Sequence, residues 1–251
     1  MTANLLEVRP VTGRDTLYRL SCPELAAKAR PGQFVEVLLS DGPEPFLRRP
    51  ISIFDCDGSR EFSLLVRTVG RGTRRMTGWT AGREVDVLGP LGSGFFWEDA
   101  DRVCTLVGGG IGVAPLGFLA GRLLAEGRQV RLVFTPERDR GLLEHFPGAE
   151  RVQVSLCRDR SELPGVLAAA LEGADRCFAC GPEGMLESVA GCAGDLAVPC
   201  QLSMERRMAC GFGICLGCAI AVRTPAGLTY RKVCKDGPVF RAEEVAFHEL
   251  P

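Results

Sequence analysis

Hydrophobic and polar residues alternate in short runs over the first hundred residues of the chain. Four such runs, at 34–39, 50–54, 61–69 and 84–90, alternate or are rich in β-branched and aromatic residues, and glycine or proline separates them. Many short strands with turn signals between them are typical of a barrel or sandwich. We therefore expect an antiparallel β-barrel over residues 1–100.

From residue 101 to about residue 200 the pattern changes, because strand-like apolar runs now alternate with longer helical ones. The strand-like runs occupy 103–108, 129–134, 151–156 and 176–181. The helical runs occupy 116–127, 163–173 and 182–194. Strands that alternate with helices predict an α/β region, and its sheet is expected to be parallel and doubly wound.

The last region, residues 201–251, contains short β-like runs at 219–224 and 228–233 around a group of cysteines. We therefore predict three domains, 1–100, 101–200 and 201–251, with the junction near 195–200. No internal repeat or low-complexity tract interrupts this order.

Charge and hydropathy exclude some classes of function. The net charge is −1 and charged residues make up 24% of the chain, so no broad basic field is available to hold nucleic acid or an anionic membrane. No apolar run approaches the ~20 residues of a membrane span, and residues 1–15 lack the apolar segment of a signal peptide. We therefore expect a cytoplasmic protein.

The chain has twelve cysteines, which in a cytoplasmic protein favour reduced thiols or metal ligands over disulfides. Four of them form the pattern Cys210-x4-Cys215-x2-Cys218-x15-Cys234. Plant-type [2Fe–2S] ferredoxins use the C-x4-C-x2-C spacing followed by a distant cysteine. Zinc sites more often show two paired arms, and here only Cys215 and Cys218 form one. A [2Fe–2S] cluster is the favoured interpretation, with zinc or unligated thiols as alternatives.

Most of the remaining eight cysteines are expected to be ordinary buried thiols. They are Cys22, Cys56, Cys104, Cys157, Cys177, Cys180, Cys192 and Cys200.

A glycine-rich segment at 107–115 lies between a predicted strand and a predicted helix. Such a turn binds phosphate, because free N–H groups and the helix dipole face the anion. The segment does not match the G-x-G-x-x-G motif, because Val113 occupies the position of the third glycine. Gly110, Gly112 and Pro115 instead form the spacing G-x-G-x-x-P. A tight turn without a ligand is the alternative. A second strand end, at Cys180 and Gly181, is predicted at the same edge of the sheet.

The ribose 2′-position of a bound dinucleotide is expected near the end of the run at 129–134. Glu137 there would favour NAD, whereas Arg138 or Arg140 would pair with the phosphate of NADP. Solvated loop charges are the alternative interpretation, so the residues alone leave the choice between NAD and NADP open.

A flavin is expected between these two sites, because nicotinamide transfers two electrons as a hydride and an iron–sulfur cluster transfers one. Arg49 and Ser52 surround a β-like segment, and the arginine fork suits a pyrophosphate. Gly70, Gly72 and Thr73 form a second turn whose backbone can meet phosphate. Taken singly, each of these is also an ordinary surface or turn residue.

Together the motifs resemble those of a known family. Arg49-Pro50-Ile51-Ser52 and the segment 69–73 resemble the flavin motifs of the ferredoxin reductase family, and 108–115 and 180–185 resemble its nicotinamide-nucleotide motifs. The segment 205–240 resembles one branch, the electron transfer subunits of NAD-dependent type B dihydroorotate dehydrogenases. The resemblance covers essentially the whole chain. Ile51 departs from the wider family, which often has tyrosine there and stacks it on the flavin.

The resemblance implies an oxidoreductase subunit of pyrimidine biosynthesis. Its partner is an FMN-containing catalytic subunit that oxidises dihydroorotate, with two copies of each subunit in the complex. Electrons pass from FMN to a [2Fe–2S] cluster, to FAD and to NAD⁺, and this chain supplies no catalytic acid or base. The alternatives are a reductase subunit of a ferredoxin:NADP, sulfide or hydrogenase complex, and a redox-sensing protein without turnover.

The resemblance also assigns site residues. Those for FAD are Arg49, Pro50, Ile51, Ser52, Leu65, Val66, Arg67, Gly72 and Thr73. Those for NAD are Gly110, Gly112, Cys180 and Gly181, and those for the cluster are Cys210, Cys215, Cys218 and Cys234.

Overall fold

The structure is a computed structural model that describes residues 1–40, 42, 44–136 and 141–249. The predictions for Glu137, Arg138 and Arg140 lie outside these ranges. The described part of the first hundred residues forms six strands and two short helices. These are β1 (Thr2–Pro10), β2 (Asp15–Ser21), α1 (Pro23–Ala26), β3 (Phe34–Val37), β4 (Arg49–Cys56), β5 (Glu61–Arg67), α2 (Arg71–Met76) and β6 (Glu84–Leu91). The strands close an antiparallel barrel in the order β1-β2-β5-β4-β3-β6.

The alternation of the strands explains the barrel. In β6, Val85 and Val87 are buried in the barrel interior, while Glu84 and Asp86 face outward. β1 alternates in the same way at its start, and a register shift between Leu5 and Glu7 then interrupts the pattern. This irregularity hides β1 from a period-two search, and neither β1 nor β2 was predicted from the sequence.

The rest of the chain forms a sheet and a hairpin. In chain order the elements are β7 (Val103–Gly109), α3 (Ala114–Ala125), β8 (Gln129–Thr135), β9 (Gln153–Leu156), α4 (Leu163–Leu171), β10 (Arg176–Cys180), α5 (Glu183–Asp195), β11 (Cys200–Ser203), β12 (Ala219–Thr224), β13 (Gly227–Lys232) and β14 (Val239–Arg241). The sheet order is β14-β11-β10-β7-β8-β9, with β7 to β11 parallel. The predicted parallel, doubly wound sheet is confirmed.

This strand order determines where a ligand binds. The chain moves from β7 through β8 to β9 on one side, then returns to place β10 and β11 on the other side of β7. The connections after β7 and β10 therefore diverge and leave a crevice at the carboxyl ends of these two strands. Ligands of open α/β sheets bind at such a switch point.

The C-terminal region is only partly separate from this sheet. β12 and β13 form an antiparallel hairpin, but β14 pairs with β11 through Leu202 and Phe240. The boundary predicted at residue 200 runs through β11, and the third predicted domain contributes an edge strand to the second. Phe240 is buried in the core that also contains Leu202, and this burial stabilises the pairing of β14 with the sheet.

The barrel and the sheet are packed directly on each other through β4 and α3. A Cβ atom at Gly117 of α3 would lie 2.6 Å from the carbonyl oxygen of Phe54, so only glycine permits this approach. The contact fixes the barrel against the carboxyl edge of the sheet. Among the helices within the described ranges, none is long and apolar enough to span a bilayer.

Candidate functional site

The two predicted nucleotide motifs meet in the crevice. Gly110 has φ +53 and opens a single 3-10 turn that runs into α3, with Pro115 in the first helical turn. A Cβ atom at Gly112 would lie 2.5 Å from the carbonyl oxygen of Cys180 and 2.8 Å from Cα of Gly181. The glycine-rich turn therefore packs backbone to backbone against the end of β10, which is possible only because position 112 has no side chain.

Two cavities extend along the crevice from this contact. One of about 330 Å³ leads from Gly109 and Gly110 to 157–160 after β9. The other, of about 340 Å³, is lined by Gly112, Gly181 and 204–206. Both include Gly109 and Pro182, so they form one elongated cleft of the kind a dinucleotide fits.

Two parts of this cleft were missed by the sequence analysis. They are 158–160, where two arginines flank Asp159, and 204–206. Both segments follow closely on parallel strands, β9 and β11. Their position at the carboxyl edge of the sheet is the signal that could have identified them.

Cys180 contributes its backbone to this contact, because its thiol is 1% exposed and does not line either cavity. Burial raises the pKa of the Cys180 thiol well above its usual value, and a hydrogen bond with Ser203 partly opposes this. The thiol therefore stays protonated and neutral. Its assignment as an NAD-site residue stays a prediction.

A third cavity, of about 180 Å³, lies between the barrel and the sheet. It is lined by Pro50 and Ser52 of β4, Phe34 of β3, Met208 and 203–206. Because side chains alternate along β4, Ile51 packs instead against the barrel core. This cavity shares Met204, Glu205 and Arg206 with the nucleotide cleft. A ring bound against Pro50 and Ser52 would therefore adjoin a nicotinamide bound in that cleft.

Arg49 and Gly72, which the sequence places far apart, are neighbours in the structure. A Cβ atom at Gly72 would lie 2.9 Å from Nε of Arg49. Thr73 Oγ1 accepts N–H groups of Val69 (3.0 Å) and Gly70 (3.2 Å), and so caps the start of α2. A guanidinium thus faces a glycine turn at a helix start, which is a suitable arrangement for a pyrophosphate.

The predicted FAD residues of β5 are placed differently. Leu65 and Val66 are buried, and the guanidinium of Arg67 is held by Asp15 at 2.7 and 3.1 Å in a largely buried ion pair. The side chain of Arg67 therefore anchors β5 to β2. Any contact between β5 and FAD would therefore be made by the backbone of β5.

The four predicted cluster ligands form two pairs. The sulfur atoms of Cys218 and Cys234 are 3.2 Å apart, and both residues are 2% exposed. Cys210 Sγ accepts the N–H groups of Ile214 (3.4 Å) and Cys215 (3.5 Å), and the Cys210 and Cys215 side chains are also within hydrogen-bond reach of each other. Nowhere in the described ranges do three or more His, Cys, Asp or Glu side chains form a site for one metal ion. Two pairs of thiols suit the two irons of a [2Fe–2S] cluster better than one zinc ion.

The loop that carries the first three of these cysteines is shaped for anionic sulfur. Gly211 has φ +75 and Gly213 has φ +94, both in the left-handed region that favours glycine. The N–H groups, that of Cys215 foremost, lower the pKa of the Cys210 thiol to about 6. Burial raises the pKa of Cys234 to about 12, so iron must displace its proton on binding.

Of the eight other cysteines, seven are buried and Cys192 is half-buried, all as free thiols. The expectation that most of these eight cysteines are buried thiols is therefore confirmed.

Comparison with known proteins decides the family. Residues 205–246 match the model of the iron–sulfur cluster binding domain of dihydroorotate dehydrogenase B. A protein of Caldanaerobacter subterraneus subsp. tengcongensis, named as the electron transfer subunit of NAD(+)-dependent dihydroorotate dehydrogenase B, is 35% identical over 251 residues and 98% of each chain. The chain belongs to this family. A Bacillus cereus subunit of the same name is 37% identical over 238 residues, or 86% of each chain.

Solved structures show that the fold is shared with flavin-dependent reductases. A chain of an NADH-dependent reduced ferredoxin-NADP oxidoreductase, studied for flavin-based electron bifurcation, has 26% identity and a TM-score of 0.83, covering 99% of this chain and 91% of its own. Phthalate dioxygenase reductase, at 18% identity and a TM-score of 0.62 over 94% of this chain and 77% of its own, shares the fold. The predicted family and fold class are both confirmed.

Proposed function

We propose that this chain passes electrons from an FMN-containing dihydroorotate dehydrogenase subunit, through a [2Fe–2S] cluster and FAD, to NAD⁺. Pyrimidine biosynthesis in the cytoplasm is the setting, and the complex contains two copies of each subunit. One observation carries the proposal. The cavity at Pro50 and Ser52 shares Met204, Glu205 and Arg206 with the nucleotide cleft, and the chain that follows at Met208 leads directly into the paired cysteines.

Each cofactor has a set of residues that fits it. Arg49, Gly72 and the start of α2 suit the FAD pyrophosphate, and Pro50 and Ser52 line the cleft for its ring. The turn at Gly110 and Gly112 faces the nucleotide, and Cys210, Cys215, Cys218 and Cys234 hold the cluster. FAD supplies the exchange between hydride and single electrons, so the chain needs no acid or base of its own.

The chain's own residues hold the two ring-binding sites in position and keep charge away from the nucleotide turn. Gly112 fixes the nucleotide turn against β10, and the neutral, buried thiol of Cys180 adds no charge beneath it. Glu183 accepts a hydrogen bond from Arg206 at 3.1 Å, which joins the start of α5 to the segment shared by both clefts. These contacts hold the two ring sites in a fixed relation.

The partner is expected to dock on the cluster loop, because single-electron transfer needs the cluster to lie close to the next carrier. Phe212, Ile214 and Leu216 project from this loop and are 47%, 75% and 64% exposed. Three large apolar side chains exposed within five residues are typical of a surface that another protein covers.

Ile214→Asp is expected to weaken binding of the FMN subunit at least about tenfold, because it places an uncompensated charge in an apolar contact. Titration calorimetry or gel filtration of the two purified subunits measures this loss. Leu196→Asp is the matched control, since Leu196 is 45% exposed at the end of α5 and is not part of the loop. Equal weakening by both variants would contradict docking at the cluster loop.

The function is tested on anaerobically purified protein. Visible and electron paramagnetic resonance spectra are expected to report FAD and a [2Fe–2S] cluster together. NADH is expected to reduce both more efficiently than NADPH, and dihydroorotate oxidation by NAD⁺ is expected only after the FMN subunit is added. Zinc in place of iron, or no flavin, would overturn the proposal. Preference for NADPH without dihydroorotate activity would favour the alternative reductase complexes.

A further inference from the structure

A buried carboxylate lies between the flavin cleft and the cluster loop. Glu36 of β3 is 1% exposed, and within the described part of the chain neither of its carboxylate oxygens has a hydrogen-bond partner. Burial of an unpaired carboxylate costs several kcal/mol in general. A chain that retains one at such a cost has placed it at a site with a role beyond packing.

The contacts of Glu36 join the two cofactor sites. Along β3, Glu36 pairs with Pro50 of the flavin motif, and Phe34 on the same face of the strand lines the flavin cleft. The carboxylate itself lies against Gly211, where any Cβ atom would overlap it. One side chain therefore touches the loop between Cys210 and Cys215 from the strand that borders the flavin cleft.

The two arginines near the carboxylate of Glu36 do not form an ion pair with it. Arg48 donates to the backbone carbonyl of Glu36 at 3.5 Å, and its other nitrogen pairs with Asp86 at 2.6 Å. The guanidinium of Arg49 donates to the carbonyl groups of Leu47 and Arg48. Both cations lie nearby, but their hydrogen bonds go to other acceptors. Burial raises the pKa of the Glu36 carboxyl to about 7, and no direct ion pair neutralises the carboxylate once it is ionised at alkaline pH.

We propose that Glu36 lies between the two cofactor sites and that its carboxylate sets the reduction potential of the cluster relative to that of the flavin. A cluster gains one negative charge on reduction, and a nearby carboxylate in a poorly solvated wall opposes that gain. Gly211, in the loop that would hold the cluster, lies against Glu36, whereas Glu36 reaches the flavin cleft only through Phe34 and Pro50. The effect therefore falls mainly on the cluster.

Glu36→Gln tests this inference, which rests on the proposed function. At mildly alkaline pH the variant is expected to shift the equilibrium between oxidised and reduced cluster about tenfold toward the reduced form, or 59 mV for a one-electron couple. A potentiometric titration followed by electron paramagnetic resonance measures the shift. The FAD potential, followed by absorbance, is expected to move less. The variant is expected to fold, because glutamine keeps the volume and removes the buried charge.

Two controls complete the experiment. Glu36→Asp keeps the charge and is expected to restore a potential near that of the unmodified chain. Glu84→Gln removes an exposed carboxylate of the same barrel and is expected to change nothing. Iron and FAD contents of the unmodified protein are measured first, because their absence would be a failure of the proposed function.

With both cofactors present, two results would overturn the inference. One is an equilibrium between oxidised and reduced cluster in Glu36→Gln that lies within twofold of the same equilibrium in the unmodified protein. The other is loss of the cluster in both Glu36 variants, which would make the residue purely structural.

Discussion

Cys215→Ala is expected to abolish the [2Fe–2S] signal and to stop electron flow to the FMN subunit, while NADH still reduces the flavin. Cys215 is exposed, so the substitution is expected to leave the fold intact and to remove only a thiolate. Outer-shell changes alone cost metal sites 10–100-fold, so loss of a ligand is expected to cost at least about 100-fold in transfer to the partner. Electron paramagnetic resonance of the reduced protein and NADH-driven reduction of the FMN subunit measure the two effects.

Cys192→Ala is the matched control, because Cys192 is a half-buried thiol of α5 outside the cluster pattern. It is expected to keep both the signal and the transfer. Reduction of an artificial dye by NADH should survive in both variants, since it requires only the flavin. Undiminished flow to the partner in Cys215→Ala would show that electrons bypass the cluster.

Gly112→Ala has the second-largest expected effect, on nucleotide binding and on stability. The new methyl group would meet the backbone of Cys180 and Gly181, and neither can move without distorting the end of β10. Overpacking of this kind costs about 1–3 kcal/mol. Because the displaced turn is the predicted phosphate contact, we also expect the dissociation constant for NADH to rise at least about tenfold, which corresponds to 1.4 kcal/mol. Chemical denaturation and fluorescence titration with NADH measure these changes.

Gly191→Ala separates this steric effect from a general effect of replacing glycine. Gly191 lies in α5, and nothing is within 4 Å of an added Cβ atom. Alanine there is expected to stabilise the protein by up to about 1 kcal/mol through helix propensity and to leave NADH binding unchanged. If Gly112→Ala behaved like Gly191→Ala, the close approach of the two motifs would have no role in nucleotide binding.

Local elements were predicted well where one periodicity dominates. The helices expected at 116–127, 163–173 and 182–194 begin and end within two residues of α3, α4 and α5. α2 was missed, because its six residues are shorter than two helical turns and read as a glycine turn. β14 was missed as well, since three residues carry no period and form a strand only through pairing with β11.

The cofactor motifs were also predicted well, because they depend on local sequence. The spacing of Cys210, Cys215, Cys218 and Cys234 is a property of the chain, because a loop that wraps a small cluster requires ligands at fixed short intervals. The glycines at 110 and 112 are equally local, since a tight turn before a helix needs them whatever surrounds it. The sequence by itself therefore determined the three cofactor types, the order of the regions and the family.

Only the tertiary structure decided which of these groups are neighbours. It placed Gly112 on the backbone of Cys180, Arg49 on Gly72, and Glu36 beneath Gly211, three pairs separated by 23 to 175 positions along the chain. Such contacts depend on how the barrel closes and how β4 packs on α3, and no local pattern records them. Burial also decided the chemistry of side chains that look alike in the sequence, because the surroundings make Cys180 a neutral core thiol and Cys210 an acidic one.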